Sequence, residues 1–425
     1  MHRQTRSCPT QTPIFSIAYL GSVGSTLQRH HIVYAGGGGS SRTGVGNAIV
    51  AAEVGETGLV ELCRLDTGAE LCSLICIGPK RKLLPSVFGN RFRICKLSGF
   101  GSSLQGQRHI AVASDDYVSD FKKEGPSINC CAVDDSRDVL AVGGDDGKLR
   151  IWAVSNDEGR FRCTLVNALS PGHTSSITDC SFSESRHLLA TASKDGTCLV
   201  HSLSTGATIC KVSTSCAMPL SQANNYREKT PSAKLLVRAC KFVGDNGIIS
   251  VQSRSRGDAY ATKWSLVASD DQDGTLDVGL VATRRISRHP VSAVCLEGEL
   301  IVHGNVEGMV GIASTTDLSS LGRHLQAHEL PVTALAITPD MSSTPPRVLS
   351  VSADYKLVTT YLTSTTRVTM ARFSVLFALI VFLLRNLLYT CAVRYGLWCE
   401  SSRVGHTHAL SSTPSRFVLA VVMVA

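Results

Sequence analysis

The sequence contains no pair of cysteines in the Cys-x-x-Cys spacing, although it has 16 cysteines in 425 residues. Structural metal sites need thiolates or imidazoles that converge at short spacings, so no such site is expected. Many of the cysteines stand in apolar, strand-like runs, where cysteine behaves as a small hydrophobic residue. We therefore expect reduced thiols buried in a domain that faces the cytosol.

No apolar segment opens the chain. Residues 1–12 are polar, so no cleaved signal peptide is expected. Positive charge is not concentrated either: the net charge is +8, but the lysines and arginines are scattered and never form a stripe interleaved with aromatic residues. A nucleic-acid partner is therefore not expected.

Residues arranged for catalysis are also missing. No Ser/His/Asp or Cys/His spacing stands out, and acidic pairs such as Asp115-Asp116 and Asp145-Asp146 have the composition of turns. We therefore expect neither a bond-making enzyme nor a small-molecule substrate. Recognition of another protein is the function that the composition favours.

The middle of the chain contains a repeat. Residues 140–152 (LAVGGDDGKLRIW) and 189–201 (LATASKDGTCLVH) each combine an apolar strand, an Asp-Gly turn and a second strand. Asp-Gly suits the positive φ angles of a two-residue hairpin turn, so each copy predicts a β-hairpin. Acidic turn residues recur along the chain at intervals close to the length of one propeller blade, at Asp146, Asp195, Asp258, Glu307 and Asp354.

This spacing, with no helical periodicity between the hairpins, predicts an all-β propeller. The longest interval contains a polar insert, residues 213–232, which we expect to form a surface loop. Five repeats are visible, and seven blades are expected between about residues 14 and 365. The first 125 residues are less regular. Asp116 repeats the turn frame, but it stands too close to Asp146 for a complete four-stranded blade to fit between them.

Two segments that precede hairpins, residues 173–183 (HTSSITDCSFS) and 328–338 (HELPVTALAIT), resemble WD40 repeats. In that family a His, a strand hydroxyl, the turn Asp and a strand Trp form a buried hydrogen-bond network. By this resemblance His173 and Asp195 occupy two of the four positions. His201 stands at the Trp position, which implies an incomplete network.

The same resemblance assigns structural roles elsewhere. Two residues fit the Trp position and two fit the turn acid: Trp152, Trp264, Asp146 and Asp258. We expect all four to stabilise the blades rather than to bind a partner.

The C-terminal part changes character. The window from Phe373 to Val393 is apolar and long enough to span a bilayer. Arg385 would cost roughly 2.5–3.5 kcal/mol near the centre of such a helix, which about ten Leu, Ile, Val and Phe residues can offset. We predict a linker over 366–372, one transmembrane helix over 373–396 and a short tail over 397–425. A buried or interfacial helix is the alternative.

One motif lies outside the repeat. Residues 35–47 (AGGGGSSRTGVGN) lie between two predicted strands. Four consecutive glycines have a large conformational entropy, so such a run usually marks unusual backbone geometry or the close approach of a partner. A P-loop would need Gly-Lys-Ser/Thr where residues 42–44 read Arg-Thr-Gly. A dinucleotide fingerprint would need a third Gly and then a helix. A long, flexible hairpin loop is the alternative interpretation.

The stretch from Val33 to Ile49 resembles the glycine-rich loop of the prolactin regulatory element-binding proteins. These are membrane-anchored WD40 exchange factors for the Sar-type GTPase that starts COPII coat assembly. The layout is similar over nearly the whole chain, with a propeller (1–365) followed by one transmembrane helix. The resemblance implies a guanine-nucleotide exchange factor for protein transport from the endoplasmic reticulum to the Golgi. It also implies a propeller in the cytosol, an anchor in the endoplasmic reticulum membrane and a lumenal tail.

In that family the loop projects into the nucleotide site of the GTPase, and a relative holds a potassium ion within it. Carried over by position, Arg42, Thr43 and Val45 form the tip that wedges into the partner. The corresponding ligands for a monovalent cation would be Gly39, Ser40, Ser41 and Asn47. No other cofactor is implied. The alternative function is a non-catalytic, membrane-anchored WD40 scaffold for protein complexes.

Overall fold

The computed structural model describes residues 5–362, except for 24–28, 41–42, 56–57, 78–82, 101–107, 119–124, 135, 170–171, 215–234, 270–274 and 339–345. The compact unit that contains them extends from Met1 to Thr363. Most of the predicted polar insert and the whole of the predicted linker, transmembrane helix and tail lie outside the described residues. Within the described part, no helix has the length and hydrophobicity needed to cross a membrane.

The described strands form seven antiparallel sheets, which we number as blades 1 to 7. Blade 1 contains β2 (Ile14–Val23), β3 (Arg29–Gly36), β4 (Asn47–Gly55) and β5 (Gly58–Gly68). Blade 2 contains β6 (Leu74–Ile75), β7 (Leu83–Phe88), β8 (Arg91–Ser98), β9 (His109–Val112) and β10 (Tyr117–Val118). Blade 3 contains β11 (Ile128–Asp134), β12 (Val139–Gly144), β13 (Leu149–Asp157) and β14 (Arg160–Leu169).

Blades 4 to 6 have four strands each. Blade 4 contains β15 (Ile177–Phe182), β16 (Leu188–Ser193), β17 (Thr197–Ser202) and β18 (Thr208–Ser213). Blade 5 contains β19 (Leu236–Val243), β20 (Gly247–Ser253), β21 (Ala259–Ala268) and β22 (Leu276–Ser287). Blade 6 contains β23 (Val291–Glu297), β24 (Leu300–Asn305), β25 (Met309–Ser314) and β26 (Leu325–Gln326). Blade 7 contains β27 (Val332–Ile337), β28 (Arg347–Ser352) and β29 (Lys356–Tyr361), with β1 (Thr5–Pro9) as its fourth strand.

The seven blades form a closed ring. The first strand of each blade packs against the first strands of the two neighbouring blades, and β2 of blade 1 packs against β27 of blade 7. The ring is completed by β1, which pairs antiparallel with β29 from Thr5↔Thr360 to Pro9↔Lys356. The predicted seven-bladed all-β propeller is confirmed. The sequence pattern placed its beginning near residue 14 and missed β1.

The hydrophobic core consists of seven clusters, one between each pair of neighbouring blades. The two faces of a strand therefore serve two interfaces. On β16, Leu188 and Ala190 face blade 5, whereas Leu189 faces blade 3. This is the period of two expected of strands in a sheet that is covered on both sides.

Within each blade we name the strands a to d from the ring axis outward. Because the strands alternate in direction, the b–c turns and the d–a connections lie on one face, which we call the b–c face. All five predicted turn acids lie between strands b and c, and Asp258 is the last residue of that connection in blade 5. The frame that they define is confirmed for blades 3 to 7.

Blade 2 departs from this frame. Its b–c turn is Gly89-Asn90, between β7 and β8, and Gly89 has a φ of 63°. Asp116 lies instead between β9 and β10, where it forms ion pairs with Arg93 (2.7 Å) and Arg91 (3.3 Å). Its assignment to the turn frame is therefore wrong, which explains the short interval that separates it from Asp146.

The histidine network of blade 4 is complete. His173 contacts Asp195 through Nδ1 (3.0 Å) and Thr191 Oγ1 through Nε2 (2.9 Å). His201 Nε2 lies 3.0 Å from the same Thr191 hydroxyl. The expectation of an incomplete network is wrong, because an imidazole nitrogen reaches the hydroxyl from the Trp position.

Blade 7 has a similar network. His328 contacts both carboxylate oxygens of Asp354 through Nδ1 (3.1 Å) and contacts Ser350 Oγ through Nε2 (2.9 Å). Each network ties a d–a connection to a b–c turn of the same blade. The lead-in histidines that the sequence pattern singled out therefore fix the b–c face of both blades.

The other residues that the sequence predicts to be structural are two tryptophans, which pack in the core, and two aspartates, which form ion pairs with arginine. Trp264 is buried and its indole N–H donates to Ser250 Oγ (2.8 Å). Trp152 packs against Phe92 and Tyr117, with ring centroids 5.4 and 5.6 Å away. Asp146 pairs with the buried guanidinium of Arg150 (2.6 Å), and Asp258 pairs with Arg285 (3.2 Å).

We expect Asp195→Ala to lower the free energy of unfolding by about 1–3 kcal/mol, because His173 would keep a buried nitrogen without its acceptor. Urea titration followed by fluorescence would measure the loss. Asp258→Ala is the matched control: its ion pair with Arg285 is partly exposed, so a loss below about 1 kcal/mol is expected. Equal losses in the two variants would contradict the role assigned to the network.

Candidate functional site

The glycine-rich loop is the b–c connection of blade 1. It spans residues 37–46, between the end of β3 at Gly36 and the start of β4 at Asn47. In blades 3, 4, 6 and 7 the same connection has only three or four residues. The loop therefore replaces a tight turn and extends from the b–c face.

The base of the loop is closed by the Asn47 side chain. Asn47 Oδ1 accepts a hydrogen bond from Gly39 N–H (2.8 Å), and Nδ2 donates to Gly39 O (2.9 Å) and to Gly68 O (2.9 Å). The residue is buried. Asn47 thus holds the rising and returning limbs of the loop together and ties both to the end of β5.

Three glycines of the rising limb, Gly36, Gly37 and Gly38, are packed too closely to accept a side chain, whereas a Cβ at Gly39 would meet no atom within 4 Å. A Cβ at Gly36 would lie 2.0 Å from Pro13 O, and one at Gly37 would lie 2.2 Å from Asn47 Oδ1. A Cβ at Gly38 would lie 2.1 Å from Thr43 Oγ1. Gly37 also has a φ of 146° and donates its N–H to Pro13 O (3.0 Å). The base of the loop is therefore held by close contacts.

The tip residues lie at the outer end of the loop. Ser40 and Thr43 are exposed, and Val45 is half-buried. Thr43 Oγ1 turns back toward Gly38 and accepts a hydrogen bond from Val45 N–H (3.4 Å). Arg42 lies outside the described residues, so only Thr43 and Val45 of the predicted wedge are seen.

The oxygens considered for a monovalent cation are partly engaged. Asn47 Oδ1 and Gly39 O both take part in hydrogen bonds across the loop base, and Ser40 is exposed at the turn. Ser41 is outside the described part of the chain. Carbonyl and amide oxygens keep a second lone pair, so potassium binding stays a prediction.

Two backbone carbonyl groups that support the loop were not predicted from the sequence. Pro13 O and Gly68 O accept hydrogen bonds from Gly37 and Asn47, and both are backbone atoms far along the chain from their donors. No side-chain type marks such an acceptor, so the sequence carries no signal for either.

Metal-binding side chains do not cluster in the part of the chain that the structure describes. No group of three or more His, Cys, Asp or Glu side chains is placed there to hold a metal ion. The 13 described cysteines are free thiols, and burial raises the pKa of Cys72 and Cys163 to about 12. These two thiols stay protonated at neutral pH.

Comparison with known proteins first gives two similarities in sequence. The family model "WD domain, G-beta repeat" matches residues 116–153 and 163–202, which include most of blades 3 and 4. The chain is 26% identical to "SEC12-like protein 2" of Arabidopsis thaliana over 314 residues, which is 70% of this chain and 69% of that protein.

These matches lie on a seven-bladed propeller with the glycine-rich loop in its first blade. The WD40 matches, the seven-bladed propeller and the similarity to a SEC12-like protein together support the resemblance to a Sec12-type WD40 family that the loop sequence shows.

A solved structure shares the fold of this chain. The crystal structure of Chaetomium thermophilum Raptor aligns with a TM-score of 0.58 at 14% identity and covers 84% of the chain. The chain spans only 28% of Raptor's length. At this identity the likeness shows the propeller fold alone.

Proposed function

We propose that this chain is a guanine-nucleotide exchange factor for a Sar-type small GTPase. The similarity to a SEC12-like protein supports the proposal, and one feature of the molecule carries it: the pre-ordered glycine-rich loop on the b–c face. We further propose that the chain is anchored in the endoplasmic reticulum membrane with its propeller in the cytosol. Loss of the full-length chain into the supernatant on alkaline carbonate extraction would contradict the anchor.

An exchange factor makes and breaks no covalent bond. It accelerates nucleotide release by binding the nucleotide-free GTPase more tightly than the loaded form. The Asn47 hydrogen bonds and the close glycine contacts hold the loop in shape before docking, so little conformational entropy is lost when the partner binds. The binding free energy is then available to distort the partner's nucleotide site.

In this mechanism the parts of the loop have different tasks. Gly36, Gly37 and Gly38 let the rising limb pass close to Pro13 and Asn47, which leaves the tip free to project. The exposed Thr43 and the half-buried Val45, with Arg42, are the groups that enter the partner. Potassium, when bound, would supply positive charge near the loop base through Gly39, Ser40, Ser41 and Asn47.

The experiment that tests the proposal is release of fluorescent GDP from a Sar-type GTPase. Addition of the purified chain should accelerate release in a manner that depends on its concentration. The assay is run in potassium and in sodium buffers, and a faster rate in potassium is expected if the ion supports the loop. No acceleration in either buffer would favour the non-catalytic scaffold.

A further inference from the structure

Three large apolar side chains are exposed together on the b–c face of blades 6 and 7. Val306 is 37% exposed, Leu330 is 45% exposed and Tyr355 is 42% exposed. Val306 lies in the b–c turn of blade 6, Leu330 in the connection from blade 6 to blade 7, and Tyr355 in the b–c turn of blade 7. We call these three residues the apolar patch.

The three segments that carry the patch touch one another. A Cβ at Gly308 in the blade 6 turn would lie 2.1 Å from His328 O and 2.9 Å from Leu330 O. Glu329 N–H donates to Asp354 Oδ2 (3.1 Å) in the blade 7 turn. The three segments that carry the patch are therefore adjacent on the b–c face.

The backbone beneath the patch is held from both sides. The His328–Asp354 contact fixes the chain just before Leu330, and Ser352 Oγ donates to Pro331 O (2.8 Å) just after it. A partner that covers this surface would order few additional groups, which favours binding.

Tyr355 occupies an unfavourable backbone conformation for an aromatic residue. Its φ is 62°, in the left-handed region that glycine and asparagine adopt more readily. Its side chain is exposed and is not part of the hydrophobic core. Sparsely populated backbone conformations of this kind are found mainly at functional sites, which supports a role in binding.

The patch is connected to the glycine-rich loop through the segment that follows β1. Tyr355 O accepts Thr10 N–H (2.9 Å), and Thr10 Oγ1 donates to Thr12 O (2.8 Å). The next residue, Pro13, accepts the N–H of Gly37 at the loop base (3.0 Å). Patch and loop thus lie on adjacent blades of the same face.

We propose that the apolar patch is a second docking surface for the small GTPase that the glycine-rich loop engages. This inference rests on the proposed function. It predicts that an apolar ridge of that GTPase covers the patch when the two proteins bind. Exposed aromatic and aliphatic side chains supply the central contacts of protein interfaces. The ion pair between Lys356 and Glu329 (2.6 Å) lies beside them as a polar rim.

The patch and the loop should affect different kinetic constants. The patch contributes affinity for the partner before exchange, whereas the loop tip acts on the nucleotide site. Loss of the patch should therefore raise the concentration of exchange factor that gives half the maximal rate, by about tenfold or more, and leave the maximal rate nearly unchanged.

The experiment uses the full chain with Leu330→Ser and Tyr355→Asn together. Asparagine tolerates the left-handed conformation, so the Tyr355→Asn change should not lower the melting temperature. The double variant is titrated against a Sar-type GTPase loaded with fluorescent GDP, and its affinity for the nucleotide-free GTPase is measured in parallel. A tenfold loss of affinity with a normal melting temperature would support the proposal.

The matched control is Val267→Ser with Leu280→Ser, two residues that are more exposed than the patch residues and lie on the outer strands of blade 5. This variant should behave as wild type. Normal affinity in the patch variant, with active wild-type protein, would overturn the docking surface and leave the proposed function standing. A wild-type chain that neither binds the GTPase nor accelerates release would overturn both.

Discussion

Replacing Arg42, Thr43 and Val45 together by alanine is expected to slow nucleotide release by about 30- to 150-fold while leaving the propeller folded. The factor corresponds to a loss of about 2–3 kcal/mol of contact made only with the nucleotide-free GTPase, the scale of one interface hot spot. Thr43 is exposed and Val45 half-buried, so the fold depends little on either side chain. The unfolding free energy should change by no more than about 0.5 kcal/mol in either direction, as for surface sites.

The measurement is release of fluorescent GDP from a Sar-type GTPase, with urea titration to verify folding. Alanine at Asp157 and Glu158 is the matched control. These residues form the turn between β13 and β14 on the opposite face, and both are exposed. That control should keep the full exchange rate. A folded tip variant that releases nucleotide at the wild-type rate would remove the loop from the mechanism.

Acidification is expected to destabilise the propeller through His201. The side chain is fully buried, and this burial, together with repulsion from the His173 ring when that ring is protonated, lowers the pKa of His201 from 6.5 to about 4. In the unfolded chain the imidazole takes up its proton near pH 6.5. Between those two pH values the unfolded state binds more protons, so stability falls as the pH is lowered. The full difference corresponds to about 3 kcal/mol.

The hydrogen bonds of blade 4 explain why the proton is excluded. Asp195 accepts the Nδ1 proton of His173, so the Nε2 of that ring accepts from the Thr191 hydroxyl. Thr191 Oγ1 then accepts from His201 Nε2–H, and His201 Nδ1 faces the Thr208 hydroxyl at 3.2 Å. With His201 neutral, every hydrogen bond in this series from Asp195 to Thr208 has one donor and one acceptor. A second proton, on Nδ1, would require the Thr208 hydroxyl to turn and accept the hydrogen bond, and it would place a charge in the core.

The variant that tests this assignment is His201→Trp, since indole can donate to Thr191 and does not titrate. Urea titrations at pH 7 and at pH 4.5 should show a smaller loss of stability for His201→Trp than for the wild type. His187→Gln, at an exposed histidine, should retain the wild-type loss. Equal losses in wild type and His201→Trp would show that the acid sensitivity arises elsewhere.

The sequence predicted the features that local pattern encodes. Asp-Gly turns and alternating strands are set by a few neighbouring residues, so the hairpins at Asp146 and Asp195 and the repeating blade could be inferred directly. The glycine run likewise marked a place where side chains do not fit, and the contacts of Gly36, Gly37 and Gly38 give the reason.

The features that the sequence did not reveal depend on distant partners. The pairing of β1 with β29 joins residues at the two ends of the propeller, and no local pattern specifies it. The Asn47 hydrogen bonds use backbone acceptors, which any residue type could supply. Because residue 201 is histidine and not tryptophan, the network of blade 4 was expected to be incomplete. The network requires only a ring nitrogen that can reach the Thr191 hydroxyl, and His201 supplies one.

The closure of the ring by β1 has a consequence for how the protein is made. Thr5 precedes its partner Thr360 in the chain by the length of the six other blades, so β1 is synthesised well before the strand with which it pairs. Until then β1 has an unpaired strand edge in an incomplete ring, and such edges promote aggregation. A pairing over so long a sequence separation also makes folding slow. One strand of the last blade is thus synthesised early and stays unpaired until the other strands of that blade are made. Chaperones that protect exposed strands would act during that interval.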